Sequence, residues 1–133
     1  MSMTDPVADL LTRIRNGSKA QKNAINIPAS NLKREVVRIL QENHFLRNFT
    51  ELPDNKQGVL RIYLRYGTGD VPVLKGIQRV SRPGLRRYFG AKEVKSTTHN
   101  TRGIMVISTS QGVMTNIDAA KRGIGGEALL RCW

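Results

Sequence analysis

The chain has 133 residues, 39% hydrophobic and 5% aromatic, with 22 Lys and Arg against 10 Asp and Glu for a formal charge of +12. That length fits one compact unit or two small subdomains around an aliphatic core, and that charge points to a polyanionic partner while saying little about fold. The single cysteine, Cys132, excludes an internal disulfide and reads as a packing residue. No stretch approaches the ~20 apolar residues of a membrane span.

The opening Met1-Ser2-Met3-Thr4 lacks the basic start and apolar run of a signal peptide, so a soluble, cytoplasmic protein is expected. Asp5 suits an N-cap and Pro6 the first helical position. Val7, Leu10, Leu11 and Ile14 then recur on one helix face, with Gly17 as the expected stop. A short strand, Ala24 to Ile27, ends at Pro28. Ser30 is placed to cap a second helix to about Asn43, with Leu32, Val36, Ile39 and Leu40 as its apolar stripe and Lys33, Arg34 and Arg38 off it. A hairpin follows, Phe45 to Leu52 and Val59 to Tyr66. Two helices on one face of a small sheet are the economical packing.

Gly67-Thr68-Gly69-Asp70-Val71-Pro72 punctuates the pattern and divides the chain into residues 1–70 and 71–133. Beyond it, Ile77 to Arg82 reads as a strand stopped by Pro83-Gly84, and Leu85 to Phe89 as a short extended piece. Lys95 to Arg102 is polar and without period, which predicts an exposed loop. Gly103 to Ile107 is a central strand. Thr115 or Asn116 begins a short helix ended by Gly123, and Ala128 to Trp133 closes the chain. The expected class is α+β: an N-terminal two-helix-on-sheet unit and a C-terminal, mainly β unit with short helices.

The charge is uneven. Residues 1–70 hold 11 cations and 7 acids; residues 71–133 hold 11 cations and 3 acids. The second half is therefore the better candidate for anionic contact. Within it, Lys75, Arg79, Arg82, Arg86, Arg87, Lys92 and Lys95 surround Tyr88 and Phe89. An aromatic beside arginine can stack on an unpaired base while the guanidinium meets phosphate. Strand neighbours face opposite ways, so one of Tyr88 and Phe89 belongs to the core, and the phenol suits the wet side. Ser108-Thr109-Ser110 offers three hydroxyls at a strand end. They suit a phosphate, a 2′-OH or a base edge, and equally an ordinary turn. Gly125-Gly126-Glu127 admits close backbone approach. Its acid can accept from a base amino group or a 2′-OH, or pair with a nearby Arg, the more common arrangement.

Catalytic constellations are missing. His44 and His99 stand alone, no His/Cys pair has metal-ligand spacing, and the glycine clusters lack the Gly-Lys-Ser/Thr ending of a P-loop. The acids are scattered. No cofactor, metal or enzymatic activity is expected. A DNA-binding regulator would present a recognition helix, whereas these cations cluster on strand and turn segments.

The segment Asp5-Pro6-Val7-Ala8-Asp9-Leu10-Leu11-Thr12-Arg13-Ile14-Arg15-Asn16 resembles the opening of the bacterial-type family of the eighth small-subunit ribosomal protein. Ile27-Pro28-Ala29-Ser30-Asn31-Leu32-Lys33, Arg79-Val80-Ser81-Arg82-Pro83-Gly84-Leu85-Arg86 and Ser108-Thr109-Ser110-Gln111-Gly112-Val113-Met114-Thr115 are similar to later parts of that family, as is Gly125-Gly126-Glu127. The resemblance covers nearly the whole chain in order. It implies a structural protein of the small ribosomal subunit that binds the central domain of its rRNA and promotes platform assembly. It further implies neighbours among the small-subunit proteins (the fifth and the twelfth) and a monomer off the ribosome, in the cytoplasm or an organelle. Some members repress their own operon mRNA. Ser108, Thr109, Ser110, Tyr88 and Glu127 carry over as RNA-binding residues. Gly126, Arg82, Arg86, Lys75, Arg15 and Lys33 complete the expected RNA-binding set. The chain departs from the family at residues 95–102, at Gln111, where lysine is common, and at Arg131 and Cys132.

Overall fold

The computed structural model describes residues 5–100 and 102–133, the side chain of Asn100 left aside. The Met1 to Thr4 opening and Thr101 of the expected loop lie outside them. The fold is α+β, with four helices and two antiparallel sheets among the described residues. No described helix is long and apolar enough to cross a membrane. The chain divides into two compact units, one spanning Pro6–Lys75 and one spanning Gly76–Trp133 together with Asp5.

In the first unit, α1 (Pro6–Lys19) and α2 (Asn31–Glu42) pack on a sheet of β1 (Ala24–Pro28), β2 (Leu46–Leu52) and β3 (Val59–Leu64), in the order β1-β3-β2. Strand alternation explains the packing: Leu60, Ile62 and Leu64 are buried while Val59, Arg61 and Tyr63 are partly exposed. Val7, Leu10, Leu11 and Ile14 of α1 and Val36, Ile39 and Leu40 of α2 are buried as well. Ser30 caps α2 as expected, its hydroxyl accepting from the Lys33 N–H at 3.2 Å.

Three expectations fail here. Gly17 does not stop α1, which runs two residues further. It is buried, and a Cβ there would stand 2.8 Å from Ile25 Cγ2, so the glycine lets helix and strand approach. Lys33 is not off the apolar face of α2. It is buried, with Nζ donating to the Pro28 carbonyl at 3.1 Å. Leu32, expected in the stripe, lies exposed.

The second unit contains β4 (Ile77–Arg79), β5 (Tyr88–Phe89), α3 (Ala91–Asn100), β6 (Ile104–Thr109), β7 (Gly112–Thr115), α4 (Asn116–Arg122) and β8 (Gly126–Cys132). The sheet order is β4-β8-β6-β7, with β5 also paired to β8. Val94, Met105, Ile107, Met114, Ala119 and Ala128 form one core cluster, with Val80, Phe89, Ala120 and Ile124 against it. Cys132 is buried, and that burial pushes its thiol up to about 12. Thr115 caps α4, and Gly123 ends it at φ 67, a left-handed conformation that favours glycine.

Residues 95–102 do not form the expected loop; α3 occupies most of them. Thr97 and Thr98 turn their hydroxyls back onto the carbonyls of Val94 (2.6 Å) and Lys95 (2.7 Å), so these polar side chains are satisfied inside the helix. Glu93 accepts from the Gly90 N–H at the other end (3.3 Å), and Val94 is fully buried. Asn116 ties the helix down, donating to Thr97 Oγ1 at 3.1 Å and accepting from the Met105 N–H at 3.1 Å. The strand begun at Ile77 ends at Arg79 rather than Arg82, although Val80 and Ser81 still donate to the Leu129 and Ala128 carbonyls. β7, unexpected from the sequence, pairs with β6 and buries Met114.

Candidate nucleic-acid interface

Three strands bring distant residues into one row. Tyr88 of β5 lies opposite Glu127 of β8, and Glu127 lies opposite Ser108 of β6. Directly opposed residues share a sheet face, so phenol, carboxylate and hydroxyl project together. Phe89, next along β5, packs against the core, while Tyr88 is 68% exposed. The expectation that one ring of the pair is core and the phenol wet is met.

The paired glycines make this row possible. A Cβ on Gly126 would stand 2.9 Å from the Ser108 carbonyl carbon and 3.1 Å from Ile107 Cγ2, on the β6 side. A Cβ on Gly125 would stand 2.8 Å from the Gly90 carbonyl carbon, beyond the end of β5. Neither side tolerates a methyl group, so β8 enters the sheet through a slot that only glycine passes. Glu127, the next residue, is set down between Tyr88 and Ser108.

Glu127 is held from behind. Its Oε2 accepts from Ser81 Oγ at 2.5 Å and from Arg86 at 2.9 Å. Ser81 is fully buried, and its Oγ also accepts from the Arg87 N–H at 3.2 Å. Burial raises the Glu127 pKa, but the bonds from Ser81 and Arg86 and the charges of Arg86 and Arg79 lower it by more, so the carboxyl titrates below its ordinary range. Both readings left open for this acid are thereby compatible. It pairs with an arginine, yet a carboxylate has about four lone-pair sites, and two donors leave capacity for a third.

Arg86 joins the row through Glu127, while Arg82 lines a shallow pocket with Gln78, Arg79, Met105 and Arg131. Arg82 and Leu85 exchange backbone hydrogen bonds across Pro83-Gly84 at 3.1 and 3.0 Å, so the segment turns tightly and Arg82, Arg86 and Arg87 are all exposed. Ser110 is exposed in the turn between β6 and β7. Thr109 behaves as an ordinary turn residue, donating to the Gly112 carbonyl at 2.7 Å and accepting from the Gln111 N–H at 3.1 Å. Its hydroxyl is engaged, which leaves Ser108 and Ser110 as the better-presented pair of the three.

Residues 5–133 match the family described as ribosomal protein S8. The chain is 46% identical over 133 residues, all of both sequences, to the small ribosomal subunit protein uS8 of Geobacillus kaustophilus. It is 45% identical over the same full length to the corresponding protein of Staphylococcus aureus. The chain belongs to the ribosomal protein S8 family.

Gln111 Oε1 accepts from the Arg122 guanidinium at 3.0 Å, so a cation from the last turn of α4 stands at the β6–β7 hairpin. Sequence reasoning missed Arg122 because the pair is closed by tertiary contact. It also passed over Ser81 as a separate residue; the only signal was a small polar residue inside an otherwise strand-like run.

Not every expected residue of the set converges. Ser108, Ser110, Tyr88, Gly126, Glu127, Arg82 and Arg86 lie on one sheet and its turns. Lys75, Arg15 and Lys33 belong to the other unit. Lys75 and Arg15 are exposed there, and Lys33 is buried against Pro28. Among the described residues, no group of His, Cys, Asp and Glu is arranged to hold a metal ion.

Proposed function

We propose that this protein is a structural component of the small ribosomal subunit that binds the central domain of the small-subunit rRNA and promotes platform assembly. Membership of the ribosomal protein S8 family supports the ribosomal role. The observation that carries the RNA contact is the row of Tyr88, Glu127 and Ser108, its phenol exposed and its carboxylate and hydroxyl partly so, with Arg86 bonded to Glu127. A rigid sheet face bearing a stacking ring, an acceptor and a hydroxyl suits a distorted RNA helix with accessible bases. A regular A-form helix hides its major-groove edges from side chains. The same surface would accept an operon mRNA that imitates the rRNA structure. Arg13 and Arg15, exposed on α1, are the corresponding candidates for contact with neighbouring subunit components.

Binding of a central-domain hairpin, a scrambled RNA and duplex DNA of equal length, measured across a salt series, tests this reading. Neutralising about 6–10 phosphates makes affinity fall by about 10³–10⁵ between ~50 and 200 mM salt for all three. The hairpin keeps its preference at the higher salt if the row reads it. Ser110→Ala and Tyr88→Ala lower that preference, whereas Lys75→Ala weakens all RNAs alike. Equal affinity for the three nucleic acids, collapsing together with salt, refutes the reading.

A further inference from the structure

The helices cover only one face of the first unit's sheet, and the other face has a composition of its own. The register places Ala24, Tyr63 and Asn48 in one row and Asn26, Arg61 and Thr50 in the next. The guanidinium carbon of Arg47 lies 5.3 Å from the centroid of the Tyr63 ring, and that of Arg61 lies 5.7 Å from it. Arg47, Asn48, Thr50 and Tyr63 line a shallow concavity. None of the residues in these rows is acidic. Arg13, Arg34, Arg38, Arg79 and Arg86 are engaged in ion pairs. Arg47 and Arg61 stand over a ring instead.

We infer that this outer sheet face is a second RNA-binding surface, which takes a single-stranded segment as Arg47 and Arg61 swing from the Tyr63 ring onto its phosphates and leave the ring to stack a base. An aromatic ring amid cations on a flat sheet is the arrangement that holds unpaired nucleotides with little sequence preference. Ala24 puts only a methyl group beside the ring on the β1 side. Asn26, Asn48 and Thr50 offer donors and acceptors to base edges and 2′-hydroxyls. An acidic protein would meet the charges but has no use for a partly exposed ring between two amides and a hydroxyl. The inference goes beyond the proposed function and uses none of the residues of the Tyr88 row.

The test uses the full chain. Anisotropy of labelled octa-uridylate and octa-adenylate is measured in parallel with the central-domain hairpin. Ultraviolet crosslinks are mapped by mass spectrometry. Tyr63→Leu weakens both oligonucleotides roughly tenfold, whereas Tyr63→Phe stays within about twofold because the ring is kept. Arg47→Gln weakens them and reduces the salt slope by about one. The crosslink falls on Tyr63. Oligonucleotide binding indifferent to both Tyr63→Leu and Arg47→Gln overturns the inference. So does poly-glutamate competing at the same face with equal affinity, since that is docking by charge alone. If the wild-type chain shows no hairpin preference while the oligonucleotides behave as stated, the Tyr88-row reading falls and this one stands.

Discussion

Gly126→Ala isolates the geometry on which the candidate interface depends. The new methyl carbon would stand 2.9 Å from the Ser108 carbonyl carbon, still nearer its oxygen, and 3.1 Å from Ile107 Cγ2. Comfortable carbon–carbon contact lies at about 3.5–4.0 Å. β6 and β8 must therefore separate by roughly half an ångström to an ångström at this point. The obstacle on one side is backbone, so a rotamer change cannot relieve it. Overpacking of this kind costs about 1–3 kcal/mol. For a chain of this size that lowers the melting temperature by roughly 3–10 °C. The same displacement carries Ser108 away from Glu127 and Tyr88. Circular dichroism melts check the first effect, and binding to hairpin and scrambled RNA checks the second. The expected result is a lower melting temperature, weaker hairpin binding and unchanged binding to scrambled RNA, because the exposed arginines remain. A variant that melts and binds like the parent refutes the claim that the glycine slot sets the row.

Ser81→Ala removes a buried hydroxyl that both donates to Glu127 and accepts from the Arg87 N–H; a loss of about 1–3 kcal/mol is expected in urea unfolding. Glu127→Gln tests the electrostatics. The folded carboxyl titrates below its ordinary 4.5, so its stabilising contribution is complete above that value and is lost as pH falls through the folded pKa. The variant should lose less stability on acidification than the parent, and an identical acid limb would remove Glu127 from the explanation. Val94→Ala, which empties a fully buried position on α3, should cost about 2 kcal/mol; a negligible effect would mean that residues 91–100 do not pack as a helix. The Cys132 thiol, buried and pushed up to about 12, should react with a disulfide reagent at pH 8 only as fast as the chain opens, and rapid native-state labelling would contradict its burial.

The helices of the first unit were legible because their signals are local. Apolar residues at Val7, Leu10, Leu11 and Ile14 and the cap at Ser30 act within one or two turns. Each states a preference that tertiary packing only had to accept. The cation excess of the second half and the opposite fates of Tyr88 and Phe89 were equally readable, since net charge and strand alternation need no partner. The family resemblance was legible for a different reason, as ordered motifs along the chain, and the family match bears it out.

What the tertiary structure alone decided is which distant residues meet. Ser108, Glu127 and Tyr88 become neighbours through the registers of β5, β6 and β8, and register is a property of the assembled sheet. Polar residues 95–100 became helix because Val94 found a core and Thr97 found Asn116, neither of which is visible in a seven-residue window. Lys33 went inside because the Pro28 carbonyl, brought alongside by the β1–α2 turn, accepts its ammonium. Gly17 looked like a helix stop and is a contact point, since the Ile25 side chain that forbids a Cβ arrives from another element. In each case the sequence states what a residue prefers with its own neighbours, while burial and hydrogen-bond satisfaction depend on partners that only folding supplies.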